Sequence, residues 1–245
     1  MKVISIVPSI TELLYELGLA EGVVGITKFC VHPEHWFRAK TKIGGTKNIN
    51  IQKIKELKPD LIIANKEENV KEQVEELAKD FNVLLTDVND YDEALKMIQS
   101  VGNAVHKGFE ANVLVNKIES SFSELQINSY KTAAYFIWQN PYMTVGGDTF
   151  INSMMMKAGF ENSFSEKLRY PQTTIDELKN LQPEYILLSS EPFPFKQKHA
   201  DELQLQLPQS KIILVDGEMF SWYGSRMLKA AGYFKNLFTE FFFKF

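Results

Sequence analysis

The sequence predicts an α/β protein of two lobes, mostly parallel sheets sandwiched by helices and joined by a long linking helix, and three observations predict it. Short apolar runs rich in β-branched residues recur between helical patterns, a long helical stretch divides the chain near its middle, and one helix-turn-strand unit of the first half returns in the second. With 245 residues the chain has room for two cores.

Taken in order, Val3 to Val7 lacks polar alternation, the mark of a strand covered on both faces. Ser9 and Glu12 have the spacing of a capping box expected to open the first helix, which Gly18 closes. Val23 to Ile26, Leu61 to Ala64 and Val83 to Thr86 are further buried strands. From Asp92 to about Gln126, apolar residues recur at intervals of three to five: Leu95, Ile98, Val101, Val105, Phe109, Val113, Ile118, Phe122 and Leu125. That spacing gives one long helix, or two abutting ones bent near Gly102 or Gly108. Asn128 and Ser129 stop it, and strands follow at Thr132 to Trp138, Tyr185 to Leu188 and Ile212 to Val215. The expected division is an N-terminal lobe over 1–90, a linking backbone helix over 91–127 and a C-terminal lobe over 128–245.

The repeat lays Ile51-Gln-Lys-Ile-Lys-Glu-Leu-Lys-Pro-Asp-Leu-Ile-Ile-Ala64 over Ile175-Asp-Glu-Leu-Lys-Asn-Leu-Gln-Pro-Glu-Tyr-Ile-Leu-Leu188, and the pairing continues to Glu67 and Glu191. Two similar lobes leave a cleft, the expected place for a small ligand.

Composition narrows the function. The 27 Lys and Arg against 31 Asp and Glu leave a net charge of −4, so no basic excess exists to hold nucleic acid. No apolar run approaches the roughly 18 residues of a membrane-spanning helix. A single cysteine, Cys30, excludes an intrachain disulfide or a multi-cysteine metal site. Pro8, Ser9, Thr11 and Glu12 interrupt the first apolar residues, so the residues as given carry no secretory signal and imply a cytoplasmic protein, or a periplasmic or cell-surface one if an export signal has been removed.

Candidate chemistry is sparse. Cys30, His32 and His35 follow the second strand and offer soft donors to a metal, or His32 simply orders a proline turn. Gly44-Gly45-Thr46-Lys47 and Gly146-Gly147-Asp148-Thr149 are either anion-holding turns or plain turns. Arg169 and Arg226 lie near Tyr170, Trp222 and Tyr223, suited to a planar or anionic ligand, or else to surface ion pairs. An enzyme would have to use Cys30, His32 and Glu218. Met154, Met155 and Met156 read as core filling. The tail of Phe234, Phe238, Phe241, Phe242, Phe243 and Phe245 packs on its own lobe or makes a dimer contact.

Val3-Ile-Ser-Ile-Val-Pro-Ser-Ile-Thr-Glu-Leu-Leu-Tyr-Glu-Leu-Gly18, Val24-Gly-Ile-Thr27, Lys58-Pro-Asp-Leu-Ile-Ile-Ala64, Asn140-Pro141 and Arg226 with Ala230-Ala231 resemble the cobalamin and iron-siderophore binding proteins of bacterial ABC importers. The resemblance implies two Rossmann-like lobes on a stiff backbone helix, a corrinoid or ferric siderophore held between them, no catalysis and no tightly required cofactor. It places Phe29, Thr46, Asn65, Tyr142 or Met143, Tyr170, Glu218 and Trp222 against the ligand, with Thr46 and Asn65 where the cobalamin binder has tryptophans. His32, Lys47, Trp138, Arg169 and Arg226 complete the expected lining, His32 as a metal donor. Trp138 and Trp222 are expected to face the ligand and Trp36 to sit at the rim. The resemblance also implies docking to an ABC transporter permease through the repeated helices, at Gln52 and Asp176. A carrier or sensor on the same scaffold that has left its importer is the alternative.

Overall fold

A computed structural model describes residues 1–127 and 129–242. Asn128, Phe243 and Phe245 lie outside it, as do the side chains of Phe238, Phe241 and Phe242.

The elements run β1 (Val3–Ser5), α1 (Pro8–Glu16), β2 (Val23–Ile26), α2 (Glu34–Ala39), β3 (Thr41–Lys42), α3 (Ile51–Leu57), β4 (Leu61–Asn65), α4 (Lys71–Ala78), β5 (Val83–Thr86), α5 (Tyr91–Ala104) and α6 (Gly108–Ser123). There follow β6 (Lys131–Phe136), α7 (Phe150–Lys157), β7 (Phe160–Asn162), α8 (Ile175–Leu181), β8 (Tyr185–Ser189), α9 (Gln197–Gln206), β9 (Lys211–Val215), α10 (Gly217–Ser221) and α11 (Arg226–Phe242). The chain divides into two compact units, one of Met1–Val88, Asp92–Ile118 and Tyr223–Arg226, the other of Asn89–Tyr91, Glu119–Trp222 and Met227–Phe245.

The first unit holds a five-stranded sheet in the order β3-β2-β1-β4-β5, parallel throughout. Its central strands are buried on both faces, as the unbroken apolar runs require, with Val3, Ile4, Ile62 and Ile63 inaccessible to solvent. The second unit holds a parallel four-stranded sheet, β7-β6-β8-β9. Ala134, Phe136, Ile186 and Leu188 of that sheet pack with Phe164, Leu178 and Leu203 into one core. Met154 and Met155, on α7, are buried, whereas Met156 is exposed. Phe234, on α11, is fully buried.

The capping box at Ser9 and Glu12 does not form. Pro8 occupies the first helical position behind Val7, and no side chain caps α1; proline starts the helix itself because its φ is already helical and its missing N–H is not needed there. Glu12 is instead drawn to Arg226. Gly18 closes the helix as expected, at φ +77°, its N–H donating to Tyr15 O. The central helical stretch is two helices, broken at residues 105–107 between the two glycines, where His106 takes φ 59°.

The repeat extends to the caps. Asn50 receives the N–H of Lys53 at the start of α3, and Thr174 receives that of Glu177 at the start of α8. Both helices end on a left-handed residue, Lys58 and Gln182, each at φ 48°. Both then pass through proline into a fully buried strand.

Candidate ligand-binding site

In a parallel sheet the loops after the strands gather at one edge, and most of the expected ligand residues fall on such loops. In the first unit these follow β2, β3 and β4. Phe29 is 51% exposed, with Lys28 Nζ 5.0 Å from its ring centroid, and Val31 beside it is exposed too. Thr46 is half-buried and its carbonyl receives Asn69 Nδ2 at 3.0 Å. Lys47 is exposed and reaches the Glu67 carbonyl.

Two expected residues of this unit do other work. Asn65 is 1% exposed. Its Nδ2 donates to Thr86, and its Oδ1 accepts the N–H groups of Glu67 and Glu68, so its side chain shapes the loop that follows β4. Arg226 is 5% exposed, and its Nε lies 2.8 Å from Glu12 Oε2, making it half of a buried ion pair.

Among the described residues no group of three or more His, Cys, Asp or Glu side chains is placed to hold a metal. Cys30 is buried and receives or shares hydrogen bonds with Thr11 and Thr27, both at 3.1 Å, while burial pushes its thiol pKa up. A buried, protonated thiol offers no thiolate to a metal or to a substrate. His32 is half-buried, and His35 packs edge-on to Tyr15. Trp36 is no rim residue: it is buried, edge-on to Tyr15.

In the second unit the loops after β6, β8 and β9 carry the candidates. Trp138, 41% exposed, pairs antiparallel with Met143 and meets Phe193 edge-on at 5.8 Å. Met143 bridges in turn to Gln172, and Tyr142 packs on Phe136. Arg169 stands 5.7 Å from the Tyr170 ring centroid, its guanidinium anchored by Asn89 and Asp148. The Gly146-Gly147 amides donate to the carbonyls of Arg169 and Lys167, so they are not open to an anion. A Cβ on either glycine would collide with the backbone of residues 165–168, which is why the pair is glycine. At the other pair, the Gly45 N–H closes a tight turn onto Asn48 O, and Gly44 takes φ +106°.

Glu218 lies on α10, just past β9, and Trp222 follows as that helix's C-cap; both are half-buried. The sequence reading missed their neighbour Glu191. Its Oε1 receives Ser221 Oγ at 2.6 Å and the Trp222 indole Nε1 at 3.0 Å. Burial, with the Glu218 and Asp216 carboxylates nearby, raises the Glu191 pKa against the pull of these donors. The signal that could have found it was the repeat, which pairs Glu191 with Glu67 just past the two strands.

The docking candidates occupy equivalent second positions of α3 and α8. Gln52 is exposed and its Nε2 lies 3.4 Å from Glu56 Oε1. The Asp176 side chain is 92% exposed and lies 3.9 Å from Lys179.

Comparison with known proteins decides the family. Residues 3–209 match the family described as periplasmic binding protein. The chain belongs to that family. It is 30% identical over 199 residues to the ABC transporter substrate-binding lipoprotein YvrC of Bacillus subtilis, described as uncharacterized, a match covering 76% of this chain and 62% of that protein. A vitamin B12-binding protein of Pectobacterium atrosepticum is 25% identical over 242 residues, 94% of this chain and 85% of the relative. Among solved structures, the periplasmic vitamin B12 binding protein BtuF of Vibrio cholerae superposes with a TM-score of 0.80 at 20% identity, covering 96% of this chain and 95% of the other. The periplasmic heme-binding protein RhuT from Roseiflexus sp. RS-1 gives 0.82 at 18% identity, with 98% of each chain covered. At such identities the likeness establishes the fold, two parallel-sheet lobes. The family and the named relatives are binding proteins. Among the described residues no helix is long and apolar enough to cross a membrane.

Proposed function

We propose that this periplasmic binding protein is the substrate-binding protein of an ABC importer and captures a metal chelate, a corrinoid or a ferric siderophore. The observation that carries the reading is the set of exposed or half-exposed aromatic side chains, Phe29, Trp138, Tyr170 and Trp222, on the loops that lead from or lie beside the strands' carboxyl ends, within a chain of this family. Aromatic faces suit a large, flat or greasy chelate, to which they contribute contact area at low conformational cost. Relatives named for vitamin B12 and heme, and an importer lipoprotein, support the class of cargo and partner. On this reading the protein works on the outer side of the cytoplasmic membrane, delivers its cargo to a permease and catalyses nothing.

Native mass spectrometry of freshly purified protein tests the reading, followed by fluorescence titration with cobinamide, heme and a ferric trihydroxamate. A co-purified chelate, or tryptophan quenching that saturates at micromolar ligand, is expected. No retained mass and no response to any of the three would refute it.

A further inference from the structure

Past β8 the chain is held with unusual thoroughness for a loop. Ser189 Oγ receives Tyr135 Oη at 3.0 Å and the Glu191 N–H at 3.2 Å, and it donates to the Glu191 carbonyl at 2.6 Å. Gly217 seats the start of α10 on the same spot: a Cβ there would strike Ser189 Oγ and come within 2.6 Å of Glu191 Cγ. Ser190 Oγ receives the Gly217 N–H at 2.9 Å. The Glu191 backbone is therefore fixed from two strands and one helix start, and its carboxylate is fixed by Ser221 and by the Trp222 indole N–H.

We infer that Glu191 is the specificity-determining residue of the second lobe: it orients the Trp222 indole and places a negative charge at that ring's edge, so the lobe selects chelates that present hydrogen-bond donors there, amide N–H or ammonium, over chelates that present carboxylates. The inference rests on the ligand-binding reading above. The physical ground is twofold. A tryptophan whose Nε1 is tied to a carboxylate has lost the rotational freedom that would let it turn edge-on, so a stacking face is ready before the ligand arrives. A carboxylate fixed in a partly desolvated place accepts a donor strongly and repels another carboxylate. The charges that act on Glu191 have the same sign, Glu218 and the helix-capping Asp216, and Tyr135 behind Ser189 is a further titratable neighbour. The first lobe carries Lys28 and Lys47 at its own strand ends, so the contribution of the second lobe has to be read as a difference between variants.

Two matched pairs of probes isolate that contribution: cobinamide against the corrin polycarboxylate obtained by hydrolysing its amides, and a ferric trihydroxamate with a free ammonium against its N-succinyl derivative. Dissociation constants come from tryptophan quenching, and the Trp222 environment from near-ultraviolet circular dichroism. The wild type is expected to favour the amide and ammonium members by about tenfold, the worth of one charge-assisted contact. Glu191→Gln keeps an oxygen that can accept the indole N–H, so its dichroism should match the wild type while the preference falls to about twofold or less. Glu191→Leu should lose both the preference and the indole signal, and if it does not fold the glutamine variant decides alone. Equal affinities within each pair in the wild type, a preference for carboxylates, or a preference untouched by Glu191→Gln would each overturn the inference while leaving the binding function intact. Failure of all four probes to bind would instead remove the metal-chelate reading itself.

Discussion

Arg226 Nε and Glu12 Oε2 lie 2.8 Å apart, an ion pair closed between residues 214 positions apart, at the first residue of α11 and in the middle of α1. Both side chains are almost wholly buried, so their attraction acts in a poorly screening interior but must first offset the loss of hydration. Removing one partner leaves the other charge buried and unpaired. Glu12→Leu or Arg226→Met should each cost about 3–5 kcal/mol in urea unfolding, and the double variant carrying both should recover much of that loss. Simple additivity of the two losses would show that the pair is not coupled.

The three tryptophans should separate cleanly in ligand titrations. Trp222→Phe should abolish most of the quenching by a bound chromophoric chelate and Trp138→Phe a smaller part, whereas Trp36→Phe should leave the fractional quench unchanged because Trp36 is buried against Tyr15. Quenching that disappears with Trp36 alone would place the ligand elsewhere.

Cys30 should resist chemistry until the chain unfolds. Its thiol is buried, hydrogen-bonded to Thr11 and Thr27, and held protonated by burial. Iodoacetamide should label it only in denaturant, and cobalt(II) should give no thiolate charge-transfer band with the native protein. For His32, an axial role would show as a shifted visible spectrum of the bound chelate on His32→Ala. An unaltered spectrum with unaltered affinity assigns His32 to the loop.

Glu191 gives a pH dependence with a definite sign. Because burial and neighbouring carboxylates raise its pKa in the folded chain, the folded state holds this proton more tightly than the unfolded state does. The stability it contributes is therefore complete below the ordinary carboxylate range and is lost as pH rises through the raised value. Glu191→Gln cannot titrate. Its stability relative to the wild type should climb across that interval, measured by urea unfolding from about pH 4 to 8, and a flat difference would contradict the assignment.

Docking to a permease offers a fifth contrast. At equivalent positions α8 presents Asp176 and α3 presents Gln52, whose amide lies 3.4 Å from the Glu56 carboxylate one turn on. Gln52→Glu should tighten association with a cognate transporter by roughly tenfold if a charge-assisted contact of about 1.5–3 kcal/mol is regained. Should Glu56 already supply that contact, Gln52→Glu changes nothing and Glu56→Gln weakens docking. Asp176→Asn should weaken it in either case, and a salt-sensitive complex indifferent to all three changes would exclude these helices from the interface.

The buried strands were readable because parallel strands covered on both faces leave long apolar runs, as at Leu61–Asn65 and Tyr185–Ser189. β3 and β7 were not: they are edge strands of two and three residues, Thr41–Lys42 and Phe160–Asn162, too short to show a period. The capping box failed because Pro8 and a partner 214 residues away outbid a local pattern. Asn65 was assigned to the ligand for its place in the resemblance, yet its amide is taken up by the turn that follows it. Glu191 stood in the repeat as a matched position, but nothing local reveals that an indole from the next strand's loop returns to it.

The left-handed stops at Lys58 and Gln182 carry a consequence for inheritance. Each lobe ends its own helix, turns through its own proline and enters its own strand by the same geometry, so the frame is closed before the variable loops begin. Changes past Asn65 or Ser189 fall downstream of that closure. A descendant, or an engineer, can therefore exchange one loop at a time to meet a new cargo, provided the two stops are left as they are.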